Sequence, residues 1–167
     1  AALARTAAAG DTVTGWVAWH RELAAATVPG AKVRRLPLPR RPLTLAWERQ
    51  RGPVPIGADV IHAPTLLLPP RVSPLVVTIF DTVPWTAPDT LTTRGVGWHR
   101  RMAALAVQRA DLITVPTRVV GEELREVLPG LTEDRLVLLG AGVPATLATE
   151  PSATTRTEVR ARHRLPD

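Results

Sequence analysis

Apolar residues along the chain gather in short blocks punctuated by proline, glycine and charge. Four blocks stand out: Asp59-Val60-Ile61-His62, Leu75–Ile79, Leu112–Val115 and Leu136–Leu139. They are rich in Val, Ile and Leu without clean alternation, the pattern of strands covered on both faces in a parallel sheet. Thr12–Ala18 and Lys32–Leu36 are weaker strand candidates. Between the later blocks the period changes to that of a helix. In Arg94–Arg109, Trp98, Met102, Leu105 and Ala106 form one apolar stripe. In Arg118–Leu128 the stripe is Val120, Leu124, Val127 and Leu128, with Thr117 placed to cap the helix and Glu122 and Glu123 near its positive end. Pro129-Gly130 stops it. Strand and helix alternation of this kind predicts an α/β fold: a parallel sheet flanked by helices, with right-handed crossovers.

Pro69-Pro70, Pro84 and Pro88 mark loops, and Ala148–Thr155 is a polar linker candidate. Residues 1–150 are expected to form one domain and 151–167 a linker, in which Thr154–Arg164 can start a further helix. The Ala-rich opening lacks the apolar core of a signal peptide and reads as the tail of a helix. No stretch approaches the roughly 18 apolar residues of a membrane span. The chain has 167 residues, 45% apolar and 22% charged, ordinary values for a soluble domain with a sizeable core. The absence of cysteine excludes disulfides, zinc–cysteine sites and thiol chemistry, and a reducing cytosol fits.

Charge sharpens the picture because it is local. Between residues 31 and 51, seven basic side chains oppose only Glu48, so this segment alone carries the net charge of +6. Lys32 is the sole lysine among 21 basic residues, a bias that suggests a high-GC bacterial genome. Leu36, Leu38, Leu43, Leu45 and Trp47 interleave with these arginines. The strip therefore has two readings. One is a solvated edge in which prolines break up any long helix. The other is a peripheral membrane contact through residues 34–51, arginines on lipid phosphates and Trp47 at headgroup level. Nucleic acid is not expected as a partner, since stacking motifs and a recognition helix are both missing.

Ligands of open parallel sheets collect beyond the carboxyl ends of the strands. The segments there are His62-Ala63-Pro64-Thr65, Phe80-Asp81-Thr82, Pro116-Thr117 and Gly140-Ala141-Gly142. His62 can bond an acceptor hydroxyl or phosphate, or be a structural histidine. Asp81 can contact substrate, or close an Asx-turn ahead of Pro84. Thr117 is chiefly a helix cap, although a helix start at a cleft also suits phosphate. Thr82 and Gly142 complete the candidate substrate-binding set. His99, beside Arg100 and Arg101, reads as part of a solvated helix face. Gly140–Ala145 fits a dinucleotide-binding glycine pattern formally, but Pro144 and Pro151 oppose the helix it requires. A carboxylate pair for glycoside hydrolysis is not evident.

With these segments in order, the chain resembles the N-terminal domain of the retaining family-four glycosyltransferases of bacteria. Asp59-Val60-Ile61-His62 resembles the family's Asp-Val-x-His strand end, and Pro74–Asp81 its apolar strand running into a polar turn. Arg109–Thr117 is similar to its Arg-Ala-Asp strand leading to a hydroxyl residue; Glu123-Leu124 and Arg135–Val143 resemble the helix and strand that follow. The likeness covers about residues 55–145. It implies one half of a GT-B fold, two Rossmann-like domains facing a cleft. The first strand, its Gly-rich loop and the donor-binding half would lie outside these 167 residues. It further implies transfer of a hexosyl group, mannosyl or glucosyl in type, from a nucleotide-sugar co-substrate to a glycan or lipid-linked acceptor. The anomeric configuration would be retained, without an obligatory metal or other cofactor. This half would hold the acceptor, and the absent half the nucleotide-sugar. The location implied is cytoplasmic, with a peripheral position on the inner membrane face as the further option. One departure matters: the family's histidine after the Leu75–Ile79 strand is Phe80 here, whose side chain can neither donate nor accept. Its backbone carbonyl can suffice for catalysis, Asp81 or His62 can supply the polar contact, or activity is lost and a non-catalytic binding module remains. The 167-residue chain alone is expected to be inactive and to bind nucleotide-sugar poorly.

Overall fold

The four strongest apolar blocks become strands β3 (Ile61–Ala63), β4 (Leu75–Thr78), β5 (Leu112–Val115) and β6 (Leu136–Leu138). They form one sheet in the order β3-β4-β5-β6, with every pairing parallel. A computed structural model describes residues 2–140, 142 and 150–166. The weaker candidates also form strands: β1 (Thr14–Trp19) and β2 (Lys32–Pro39) pair in parallel as a separate two-stranded sheet. The expected single sheet is thus two, because no strand among the described residues joins β1 to β3. The helices are α1 (Ala2–Thr6), α2 (Arg40–Glu48), α3 (Val83–Thr86), α4 (Thr93–Arg109), α5 (Arg118–Val127) and α6 (Ala153–His163). Parallel strands with flanking helices make this a Rossmann-like α/β architecture.

The core lies on one face of the larger sheet. Ile61, Leu75, Val77, Ile113 and Val115 meet Met102, Ala103 and Ala106 of α4 and Leu124 of α5. Gly121 of α5 is buried against Val115 and Leu136, and a β-carbon there would meet Val115 Cγ2 at 3.5 Å, an ordinary packing distance. Double-sided burial of these strands was the expectation, and it holds only in part. On the second face Val76 is half-buried, and Leu112 and Val137 are 37% and 40% exposed. The physical reason is that α4 and α5 both contribute to the same core cluster, so the pleat's other side chains are left with incomplete cover.

The amino ends of the strands are fastened by the acidic residue of the Arg-Ala-Asp run. Asp111 Oδ2 accepts from the Leu75 amide at 2.8 Å and from Arg71 Nε at 3.1 Å, and Oδ1 accepts from Arg71 Nη2 at 2.7 Å. The hydrogen bond from Arg71, followed by that from Leu75, pulls its pKa down to about 2. Arg135 adds a further tie, donating through Nη2 to the carbonyls of Val107 and Ala110.

In the basic strip the prolines do not abolish helix. Pro37 lies in β2, which pairs only with β1 and is an edge where a missing N–H is tolerated. Pro42 falls in the first turn of α2, where an N–H has no helical partner anyway. Gly130 takes φ +88°, a left-handed conformation suited to the stop after α5. Within 151–167 the α6 helix forms with Ser152 as its cap, and none of its residues is buried. No helix among the described residues is long and apolar enough to cross a membrane.

Candidate functional site

Parallel pairing delivers the carboxyl ends of β3, β4 and β5 to one lip of the sheet, and the register shows what lies there. Thr78 pairs with Thr114, and His62 pairs with Val76, two residues before Thr78 on the same face. His62 lies inside β3 rather than beyond it, since the strand runs on to Ala63. A hydrogen-bonded row follows across three strands. His62 Nε2 lies 2.7 Å from Thr78 Oγ1, which lies 2.7 Å from Thr114 Oγ1. Both threonines are buried. Partial desolvation of the His62 ring lowers its pKa below 6.5 and favours the neutral imidazole.

Immediately past β4 the chain presents Phe80, 57% exposed, and Asp81. Asp81 Oδ1 accepts from the Val83 amide at 3.1 Å, so the Asx-turn reading of this residue is realised. Its other oxygen has no protein partner among the described residues. Thr82 is buried, and its hydroxyl donates to Glu123 of α5. Its carbonyl accepts from the amides of Trp85 and Thr86, which starts α3. The proton of the Thr82 hydroxyl, a candidate substrate-binding group, is therefore engaged within the protein. Thr117 caps α5 by accepting from the Val120 amide at 3.2 Å and is exposed. Gly142 is exposed, while Ala141 and Val143–Ala145, the rest of the glycine-rich pattern, lie outside the described residues. The structure thus places His62, the Phe80-Asp81 corner and Thr117 on adjacent strands toward one end of the sheet, and of these only Phe80 and Asp81 share a cavity.

A cavity of about 170 Å³ opens at this lip. Thr78, Phe80 and Asp81 line it, together with Trp85, Trp98 and His99. The last three were not expected to belong to the site. Trp98 was assigned to the apolar stripe of α4 and His99 to a solvated face, yet α4 returns from the lip to the amino ends of the strands, so its early residues stand beside the β4 turn. Trp98 is half-buried and donates from Nε1 to Glu48 Oε1 at 2.7 Å, which joins α4 to α2. Arg100 holds the Pro84 carbonyl with Nε and Nη2 at 3.1 and 2.8 Å, and its guanidinium lies 6.0 Å from the centre of the Trp85 ring. His99 Nδ1 lies 2.8 Å from the Gly95 carbonyl, and its ring meets Trp98 edge-on at 4.9 Å.

A second, more open cavity of about 460 Å³ lies between α2 and α4, lined by Glu48, Arg49, Arg101 and Gln108 among others. It holds none of the strand-end residues. The smaller cavity is the better candidate because it joins aromatic walls to convergent polar groups at the strand ends. Two indoles and a phenyl ring beside a carboxylate oxygen and an imidazole suit a ring with an apolar face and hydroxyls along its edge. Among the described residues no group of three or more His, Asp or Glu could hold a metal ion. No protein-family model matches the chain, and no curated protein does.

Proposed function

We propose that this chain is the acceptor-side half of a GT-B glycosyltransferase, holding a glycan or lipid-linked acceptor at the lip while a nucleotide-sugar is bound by a second domain. The observation that supports the reading is that Phe80 and Asp81, at the end of β4, line a cavity walled by Trp85 and Trp98, while His62 and Thr117 lie on the neighbouring strands outside its lining. The motif resemblance read from residues 55–145 of the sequence suggests this family, with no matching family model or curated protein to support it independently. In this reading the retained configuration follows from holding the acceptor hydroxyl on the face of the sugar that the diphosphate leaves. The leaving charge would be stabilised by cationic groups of the other domain, and no obligatory metal is invoked.

The basic strip supports a peripheral position on an anionic membrane surface, where a lipid-linked acceptor would be presented. Glu48, its one acidic residue, is engaged by Trp98, while Lys32, Arg34, Arg35, Arg40, Arg41, Arg49 and Arg51 are all exposed. Leu45 of α2 is exposed among them.

Phe80 favours a second reading, in which the same lip binds saccharide without transferring it. Both readings are tested on the isolated chain by NMR titration. Methyl α-D-mannopyranoside or methyl α-D-glucopyranoside should shift the resonances of Phe80, Asp81 and Trp85. UDP-glucose and GDP-mannose should leave the chain unperturbed and unconsumed. Absence of any saccharide response at the lip overturns both readings, and turnover of a nucleotide-sugar by the chain alone overturns the division of labour. Transfer activity in the full-length gene product separates enzyme from binding module.

A further inference from the structure

At the position where the resemblance leads one to expect an imidazole, the chain has Phe80, but the cavity that Phe80 lines is also lined by a histidine from a different element. His99 belongs to the second turn of α4. Its Nδ1 lies 2.8 Å from the backbone carbonyl of Gly95, one helical turn earlier. A carbonyl oxygen can only accept, so Nδ1 must carry the proton of this bond. In the neutral ring the other nitrogen, Nε2, then keeps its lone pair. Nε2 has no hydrogen-bond partner among the described residues, whereas the Nε2 of His62 is taken up by Thr78. The edge-on contact with Trp98 restrains the His99 ring from the side, and the Trp98 indole is itself fixed by Glu48. The imidazole is therefore held at both its tautomer and its orientation, with one acceptor atom unspent, and it lines the same cavity as Asp81, whose second oxygen has no partner among the described residues.

We propose that His99 is the acceptor-positioning residue of this site: its Nε2 accepts a hydrogen bond from a sugar hydroxyl, supplying from α4 the imidazole contact that Phe80 cannot. The assignment rests on the saccharide-binding reading above and adds to it the atom that orients the bound ring. Trp85 and Trp98 give apolar walls against which the C–H face of a sugar can pack, and Nε2 and the Asp81 carboxylate add directional hydrogen bonds that fix its hydroxyls.

The test is made on the full 167-residue chain with ¹⁵N-labelled histidine, read through long-range imidazole correlations. In the free protein the neutral His99 ring should show the Nδ1–H tautomer. Saturation with methyl α-D-mannopyranoside should shift its Nε2 resonance, while the Nε2 of His62 stays in place. His99→Phe, which keeps a flat ring but no acceptor, should weaken binding of that glycoside about tenfold; His99→Gln, which can present a carbonyl oxygen, should recover part of the loss. An Nε2–H tautomer in the free protein overturns the assignment while leaving the saccharide site intact. So does a response of Phe80 and Trp85 to the glycoside without any movement at His99. Silence of all these resonances defeats the saccharide-binding reading and this assignment with it. Should His99→Phe fail to fold, the tautomer and the Nε2 shift of the unaltered chain still decide.

Discussion

Thr78→Val takes the middle hydroxyl out of the row that links β3, β4 and β5, and its cost follows from which neighbours are left unpaired. Thr78 Oγ1 is bonded on one side to His62 Nε2 and on the other to Thr114 Oγ1, each at 2.7 Å. Valine matches threonine in shape, so packing of this buried position is nearly unchanged. The consequence is polar. The hydroxyl of Thr114, a residue only 7% exposed, loses its bonding partner, which costs about 1–3 kcal/mol. His62 is exposed and can turn to solvent, so its loss adds little. Thr114→Val is milder: Thr78 retains His62, and the expected cost is that of one hydrogen bond, about 0.5–1.5 kcal/mol. In the double variant no buried hydroxyl is orphaned. Its cost should therefore fall short of the sum of the two singles by about 1 kcal/mol. Urea unfolding monitored by tryptophan fluorescence gives the three values, provided the dependence on urea is unchanged between variants. Each kcal/mol should also lower the melting temperature by about 2–4 °C in a chain of this size. Stability of Thr78→Val equal to that of the parent, or strict additivity in the double variant, would refute the continuous row.

Other expectations test separate links. Thr117→Ala removes the cap of α5 and should cost about 1 kcal/mol in the same unfolding assay, with Thr117→Ser retaining most of it. Since the folded-state pKa of His62 lies below 6.5, the unfolded chain takes up that proton more readily, and stability should drop as pH falls through 6.5 and recover as it rises. His62→Asn should flatten that part of a pH series of melting temperatures; an unchanged slope would clear His62 of the effect. For the basic strip, the chain should co-sediment with phosphatidylserine vesicles at low salt and release as salt rises. Replacing Arg40 and Arg41 together by Ala should weaken this binding about 30-fold, from about 1 kcal/mol per arginine. Equal binding to uncharged phosphatidylcholine would remove the electrostatic basis.

Much of the framework was legible because it depends on local pattern. The four apolar blocks specify β3 to β6, the 3.6-residue stripes specify α4 and α5, and Thr117 and Pro129-Gly130 bound α5 through backbone chemistry written in a few neighbouring residues. Parallel pairing followed from the alternation of strands and helices, and with it the side of the sheet on which His62, Phe80-Asp81 and Thr117 would meet. Other features could not be read from spacing, because they arise where distant segments touch. Thr82 is withdrawn from the rim by Glu123, forty-one positions on. Asp111 spends its charge on Arg71 and the Leu75 amide, so the acidic residue of the Arg-Ala-Asp run proves to be a fastening between strand starts. Glu48 accepts from Trp98 across fifty residues, a tie between α2 and α4 that spacing does not announce. Trp85, Trp98 and His99 enter the cavity because α3 and the start of α4 fold back over the β4 turn, a placement set by packing against the sheet. Periodicity assigns a residue to a face of its own helix. Which neighbours that face meets, and hence whether Trp98 and His99 are merely packing or solvated surface or line a binding cavity, is decided only when long-range contacts close.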